Sequence, residues 1–304
     1  TLVGEPVLAT AAAEAGPGRP AGVPFAVEEH RLELVGLDLF GGSPHLLVLG
    51  DGGCGKTSLL RLIARQLAAR HRPGEVAVLV VDLRRGLLDL TGVPNLVGYA
   101  CSPAAVAQAV ERLHRELTEP APAGPALLPG PLTPGWVPDR LVASRNGSGG
   151  RSGGRDPSPG LAEAPIRAGP RHVLLVDDYD LLPASAGSPL LPLLDLLGLG
   201  RELGFHLVLT RRVAGAARAA FEPVVQRLRE LGGTGLVMSG DPDEGPLLGG
   251  QKAARRPPGR GLLVQPGRPP TLVQVVHSPA PSGDEPSERQ EAGERRQEGC
   301  LGEG

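Results

Sequence analysis

Cysteine is scarce in this chain: there are three residues, Cys54, Cys101 and Cys300, widely spaced and odd in number. That spacing matches no metal-binding pattern and no disulfide framework, and it fits a reduced cytosolic setting. Net charge is nearly absent as well. Thirty-one Lys and Arg stand against 33 Asp and Glu, so no global field draws the chain to nucleic acid. Nor does any apolar run approach the roughly 18 residues that a bilayer span requires, and no secretory signal opens the sequence. The only methionine is Met238 and the first residue is Thr1. The chain is therefore expected to be a piece of something longer, whose membrane segments would lie elsewhere.

What it does have is glycine and proline, 45 and 33 of 304 residues. They are unevenly spread, which predicts one compact α/β unit interrupted and flanked by poorly ordered segments. The unit should run over residues 23–277, after a disordered segment at 1–22 and before a charged, disordered tail at 278–304. A Pro, Gly, Ser and Arg-rich stretch at about 120–170 interrupts it. A loop that long inside a compact domain means disorder or a functional insertion. Trp136, within it, reads as a local packing anchor rather than a ligand contact.

Residues 45–58 read His-Leu-Leu-Val-Leu-Gly-Asp-Gly-Gly-Cys-Gly-Lys-Thr-Ser. An apolar strand thus leads through G-x-x-x-x-G-K-T into a helix-forming segment, the context that distinguishes a phosphate loop from a chance glycine turn. Glycines let the backbone aim several N–H groups at one anion, and the helix start adds its own donors and the positive end of its dipole. Gly50, Asp51, Gly52, Gly53, Cys54, Gly55, Lys56, Thr57 and Ser58 form the expected nucleotide-binding set. Lys56 would reach the β- and γ-phosphates, and the Thr57 hydroxyl would take a magnesium position.

The remaining pattern predicts an α/β fold with a mainly parallel sheet covered by helices on both faces. A short strand pair is expected within 23–40, and buried strands at 76–81, 173–176 and 205–209, with a short one at 235–238 and a closing pair at 261–264 and 271–276. Helices are expected at 58–70, from Ser102-Pro103 through Leu117, at 190–203, and at 214–231 with Pro223 dividing it. On the first of these Arg61, Arg65 and Arg70 should face water. The nucleotide should sit outside the carboxyl ends of the strands, where Asp177, Thr210 and the phosphate loop fall.

Nucleotide hydrolysis is mostly positioning and electrostatics. Asp177, the first acid after an apolar strand, is expected to hold magnesium with Thr57. Asp178 stands where many such ATPases carry a glutamate. Its carboxylate would stop roughly 1–1.5 Å short of a water placed for glutamate, and misplacement of that order can cost about 10²-fold in rate. Slow hydrolysis, or binding without it, is the expectation. Arg211 and Arg212 are either γ-phosphate sensors or solvated loop arginines, and Asp180 reads as a turn acid. Cys54, at a helix N-terminus that lowers thiol pKa, is read as space-filling in preference to redox-active.

Beyond the loop, several stretches resemble an FtsK/SpoIIIE-type motor domain, in particular the ATPase modules of the EccC component of type VII (ESX) secretion systems, and most of all their last module. They are Val23-Pro24-Phe25-Ala26-Val27, Pro44 to Gly50, Val176-Asp177-Asp178-Tyr179-Asp180, His206 to Arg212, Phe221-Glu222-Pro223, Met238 to Gly245, Leu247-Leu248-Gly249 and Pro258-Gly259-Arg260-Gly261. The resemblance covers residues 23–277 without the insertion. It implies a RecA-like core, ATP and Mg2+, and a protein with several such modules at the cytoplasmic face of the membrane, assembling as a hexamer. It also implies a membrane secretion complex as partner and secreted helical-hairpin substrates engaged through a C-terminal signal. The chain departs from active motors of the wider superfamily at Asp178, where they carry the catalytic glutamate. Two other functions are carried beside export: a DNA-translocating motor, disfavoured by the balanced charge, and a regulatory module that binds nucleotide without turnover.

Overall fold

The structure, a computed structural model, describes residues 22–119, 169–182, 187–216 and 222–280. The expected N-terminal segment over 1–21, nearly all of the insertion with Trp136, Phe221 and the tail past residue 280 lie outside the described residues. In chain order the strands are β1 (Val23–Glu28), β2 (Leu34–Leu37), β3 (His45–Leu49), β4 (Val76–Val81), β5 (Leu96–Ala100), β6 (Arg171–Val176), β7 (Phe205–Arg211), β8 (Thr234–Val237), β9 (Arg260–Val264) and β10 (Thr271–Val275). Among the described residues the helices are α1 (Lys56–Arg70), α2 (Pro103–Thr118), the single turn α3 (Gly200–Leu203) and α4 (Pro223–Glu230).

The ten strands of the described residues form one sheet in the order β2-β1-β10-β9-β8-β3-β7-β6-β4-β5. Every residue of β3, β4 and β7 is buried, and strands apolar on both sides require cover on both faces. They sit accordingly in the parallel half, which runs from β8 to β5. The other half, β9, β10, β1 and β2, is antiparallel. In β9 burial alternates residue by residue, as in a strand with one solvated face. On one side Leu59, Leu62, Ile63 and Leu67 of α1 pack on Val48, Val78 and Val208. On the other, Val106, Val110, Leu113 and Leu117 of α2 pack on Leu79, Val81 and Leu174. The α2 start is the expected one: Ser102 accepts from the Ala105 N–H, and Pro103 follows it.

Three local expectations need correction. Residues 190–203 do not form one helix but 3₁₀ turns at Leu191–Leu193 and Asp195–Leu199, then α3. Pro192 removes a backbone donor there, and Gly198 and Gly200 weaken helix propagation. β5 escaped the sequence pattern because it is a short edge strand with Gly98 at its centre and only Ala100 buried. Arg61 does not face water: it is 6% exposed. Its Nε lies 2.9 Å from Asp89 Oδ2, and its Nη1 donates to the Ser278 carbonyl at 3.1 Å. Arg65 shares Asp89 at 3.1 Å. The 3₁₀ turn Leu88–Gly92 and the chain leaving β10 lie across this flank of α1, so Ser278 is buried as well. Pro223 stands at the first position of α4, and residues 217–221 of the expected 214–231 helix lie outside the described residues.

The register sets up the site. β7 separates β3 from β6, with Val48 beside Thr210 and Val176 beside Leu209. The phosphate loop, Thr210 and the acid pair after β6 therefore converge at one sheet edge.

Candidate nucleotide site

Gly55 caps α1 with φ 108°, a conformation that only glycine adopts without strain. Gly50 is required by space: a Cβ there would sit 2.5 Å from Cys54 Sγ and 2.9 Å from Met238 Cβ. No acidic residue occupies the first turn of α1, so the positive end of its dipole is uncompensated. In front of the loop lies a cavity of about 310 Å³, with Gly52, Gly53, Gly55, Lys56, Thr57 and Ser58 on one wall and Arg84, Asp178 and Arg212 on the other. A larger hollow of about 780 Å³ contains none of these residues and lies instead by the β1–β2 turn.

Within the site Lys56 is buried, donating to the carbonyls of Gly50 at 2.9 Å and Asp51 at 3.2 Å. Its Nζ is 3.4 Å from Asp178 Oδ1. The Thr57 hydroxyl donates to Asp177 Oδ2 at 2.7 Å, and the Thr210 hydroxyl donates to Asp177 Oδ1 at 2.7 Å. Thr210 Oγ1 in turn accepts from the Asp178 N–H at 2.9 Å. Burial pushes the Asp177 carboxyl above its ordinary range; the two hydroxyl donors oppose this, and the charges of Asp178 and Asp82 reinforce it. A buried carboxylate beside a threonine hydroxyl, with two more negative charges near, fits a divalent cation that keeps most of its own water. The open cavity in front of the loop and the N-terminus of α1 fit a phosphate chain.

The structure divides the remaining candidates. Arg211 is buried and turned away, with Nη2 3.1 Å from Glu222 Oε1 and Nη1 donating to the Arg212 and Ala214 carbonyls. Arg212 faces the cavity and pairs with Asp180 at 3.6 Å. Asp180 also accepts from the Arg212 N–H. Cys54 is buried with its sulfur 3.9 Å from Met238 Sδ, and burial raises its pKa, so it fills space and is not activated as a thiolate. Ser58 lines the cavity, while its hydroxyl accepts from the Ser278 N–H and donates to the Ser278 carbonyl. Arg84 was missed by the sequence reading, yet its Nε is 2.8 Å from Asp178 Oδ2. Its only sequence signal is its position just past the carboxyl end of β4.

Residues 19–121 match the FtsK/SpoIIIE family. The chain is 40% identical over 274 residues to the ESX-4 secretion system protein EccC4 of Mycobacterium tuberculosis, covering 88% of this chain and 19% of that protein. Among solved structures it resembles the cytoplasmic domain of the Thermomonospora curvata type VII secretion ATPase EccC (33% identity, TM-score 0.67, 85% of this chain and 26% of that one). It also resembles T. curvata EccC (ATPases 2 and 3) in complex with a signal sequence peptide (32% identity, TM-score 0.71, 91% of this chain and 43% of that one). The chain spans under a fifth of the length of the curated EccC proteins of these two organisms, 19% and 17%. The fold is the expected P-loop ATPase core, and the chain belongs to the FtsK/SpoIIIE family as an ATPase module of the EccC type.

Proposed function

We propose that this chain is the ATP- and magnesium-binding module of a type VII secretion ATPase, energising or regulating export with slow turnover. The observation that carries the reading is the Lys56, Thr57 and Asp177 constellation at the mouth of the phosphate loop. The loop amides and Lys56 would hold the β- and γ-phosphates, and Thr57 with Asp177 would hold Mg2+. When bound, the metal supplies positive charge to the phosphate oxygens. Asp178 follows Asp177 at the position suited to orienting the attacking water, but both its oxygens already hold cations and its side chain is short for the task. That favours weak hydrolysis over efficient hydrolysis.

The partners follow from the relatives. The chain would act beside other ATPase modules, most like the last of them, in a hexamer on the cytoplasmic face of a membrane secretion complex. Secreted helical-hairpin proteins would be engaged through a C-terminal signal, a reading supported by the signal peptide bound to the T. curvata protein. Among the described residues no helix is long and apolar enough to cross a membrane. Nucleic acid is disfavoured by the near balance of 31 basic and 33 acidic residues. Steady-state ATP turnover tests the reading, compared among the wild-type chain, Asp178→Glu and Lys56→Ala. Slow wild-type turnover, a gain with glutamate and loss with Lys56→Ala are expected. Wild-type turnover at ordinary motor rates, unaltered in Lys56→Ala, would overturn it.

A further inference from the structure

We propose that Arg84 is a second phosphate-binding cation of this site, one that engages the terminal phosphate of a nucleoside triphosphate and is held at rest by Asp178. The assignment rests on the reading of the cavity as a triphosphate site and adds to it a residue that selects triphosphate over diphosphate.

The turn that carries Arg84 is built for position. Asp82, at the end of β4, is 1% exposed and accepts from the Arg84 N–H at 3.0 Å, the Leu87 N–H at 2.7 Å and the Tyr99 hydroxyl at 2.7 Å. One buried carboxylate thus fixes the whole turn. The turn is also pressed against the phosphate-loop helix: a Cβ on Gly86 would lie 3.2 Å from Thr57 Cγ2, and the Gly86 carbonyl accepts from Arg61 at 2.6 Å. From this base the Arg84 side chain, half exposed, reaches across the cavity to Asp178 instead of extending into water.

Asp178 is the other half of the device. It adopts the left-handed backbone conformation, φ 46° and ψ 60°, which is strained for a residue with a Cβ. In that pose its two oxygens bridge the cavity's cations, Oδ1 to Lys56 and Oδ2 to Arg84. A carboxylate between an ammonium and a guanidinium occupies the electrostatic position of a phosphate. A terminal phosphate brings more charge and a third oxygen, and a guanidinium binds such a group in fork geometry. Its arrival would take both cations from Asp178 and release that side chain toward the water side. Arg212, the remaining cation on the wall, is already matched by Asp180. A diphosphate would occupy the loop and leave the Arg84–Asp178 pair intact.

The test is equilibrium binding of a non-hydrolysable ATP analogue and of ADP, each with magnesium, to the 304-residue chain. Arg84→Ala should weaken the triphosphate roughly 10-fold or more, as loss of one charge-assisted contact implies, and change ADP by less than about twofold. Arg84→Lys should restore part of the loss, and it serves as the informative variant should the alanine protein melt early. Asp178→Asn should tighten triphosphate binding, and that gain should shrink in the Arg84→Ala background. Equal effects of Arg84→Ala on both nucleotides, or no effect on either, would overturn the assignment while leaving the nucleotide site standing. A wild-type chain that binds neither nucleotide would overturn the parent reading and the assignment with it.

Discussion

At the scale of single residues the phosphate loop is closely packed at its first glycine. Gly50 sits under Cys54 and Met238, so Gly50→Ala places a methyl where two sulfur-bearing side chains already pack. Overpacking of this kind costs about 1–3 kcal/mol, and a lower melting temperature is the expected result. Cys54→Ala in the same chain should recover part of it, since Sγ is the nearer obstacle. If the glycine variant melts like the wild type, the loop is looser than described. The residues of the loop were readable in the sequence because their spacing is local, and Asp177 was readable because an acid after an apolar strand falls at the sheet's carboxyl edge. Arg84 and the bridging role of Asp178 were not, since they depend on a turn 94 positions away in the chain. Strand-end neighbours Arg211 and Arg212 could not be told apart until the fold turned one inward.

At the scale of elements, α1 is anchored from outside by a charge that its own pattern does not announce. Arg61, Arg65, Asp89 and the Ser278 backbone form one partly buried network. Removing Asp89 would leave the buried Arg61 guanidinium with the Ser278 and Gly86 carbonyls but without its counter-charge, and loss of one partner from a buried pair costs about 3–5 kcal/mol. Asp89→Ala should therefore lower stability in denaturant titration far more than Glu230→Ala, whose partner Arg227 lies on an exposed helix surface. Similar losses in the two variants would show that the network is solvated. Amphipathic spacing marked Arg61 as a surface residue because helix periodicity reports only the face toward the sheet. It is blind to a loop that returns over the opposite flank. The same limit hid β5, where half-exposed residues around a glycine give neither alternation nor an apolar run.

At the scale of the whole molecule, the interior also fixes how stability depends on pH. His45 and His206 are buried near one end of the sheet. His45 accepts from the Leu207 N–H through Nδ1 and meets the Leu197 carbonyl through Nε2, an arrangement that suits the neutral ring. Burial drives the His206 pKa down to about 3, and burial lowers that of His45. With folded values below the unfolded one near 6.5, the unfolded chain binds more protons in acid. Stability from these groups is then complete above about pH 6.5 and is lost as pH falls toward 3. At pH 5.5 His206 alone should cost on the order of 1 kcal/mol, and His206→Leu should flatten the acid side of a melting-temperature profile. An unchanged profile would place the pH sensitivity elsewhere. The α/β class and the sheet's covered faces were legible because fully apolar strands leave few alternatives.

The central claim, that the loop holds a nucleoside triphosphate through Lys56, is tested most directly by calorimetric titration of the 304-residue chain with ATP and magnesium. The account predicts saturable one-to-one binding by the wild type and its loss in Lys56→Ala, with both proteins folded. Absence of binding in the wild type, or equal affinity in the two proteins, would contradict it.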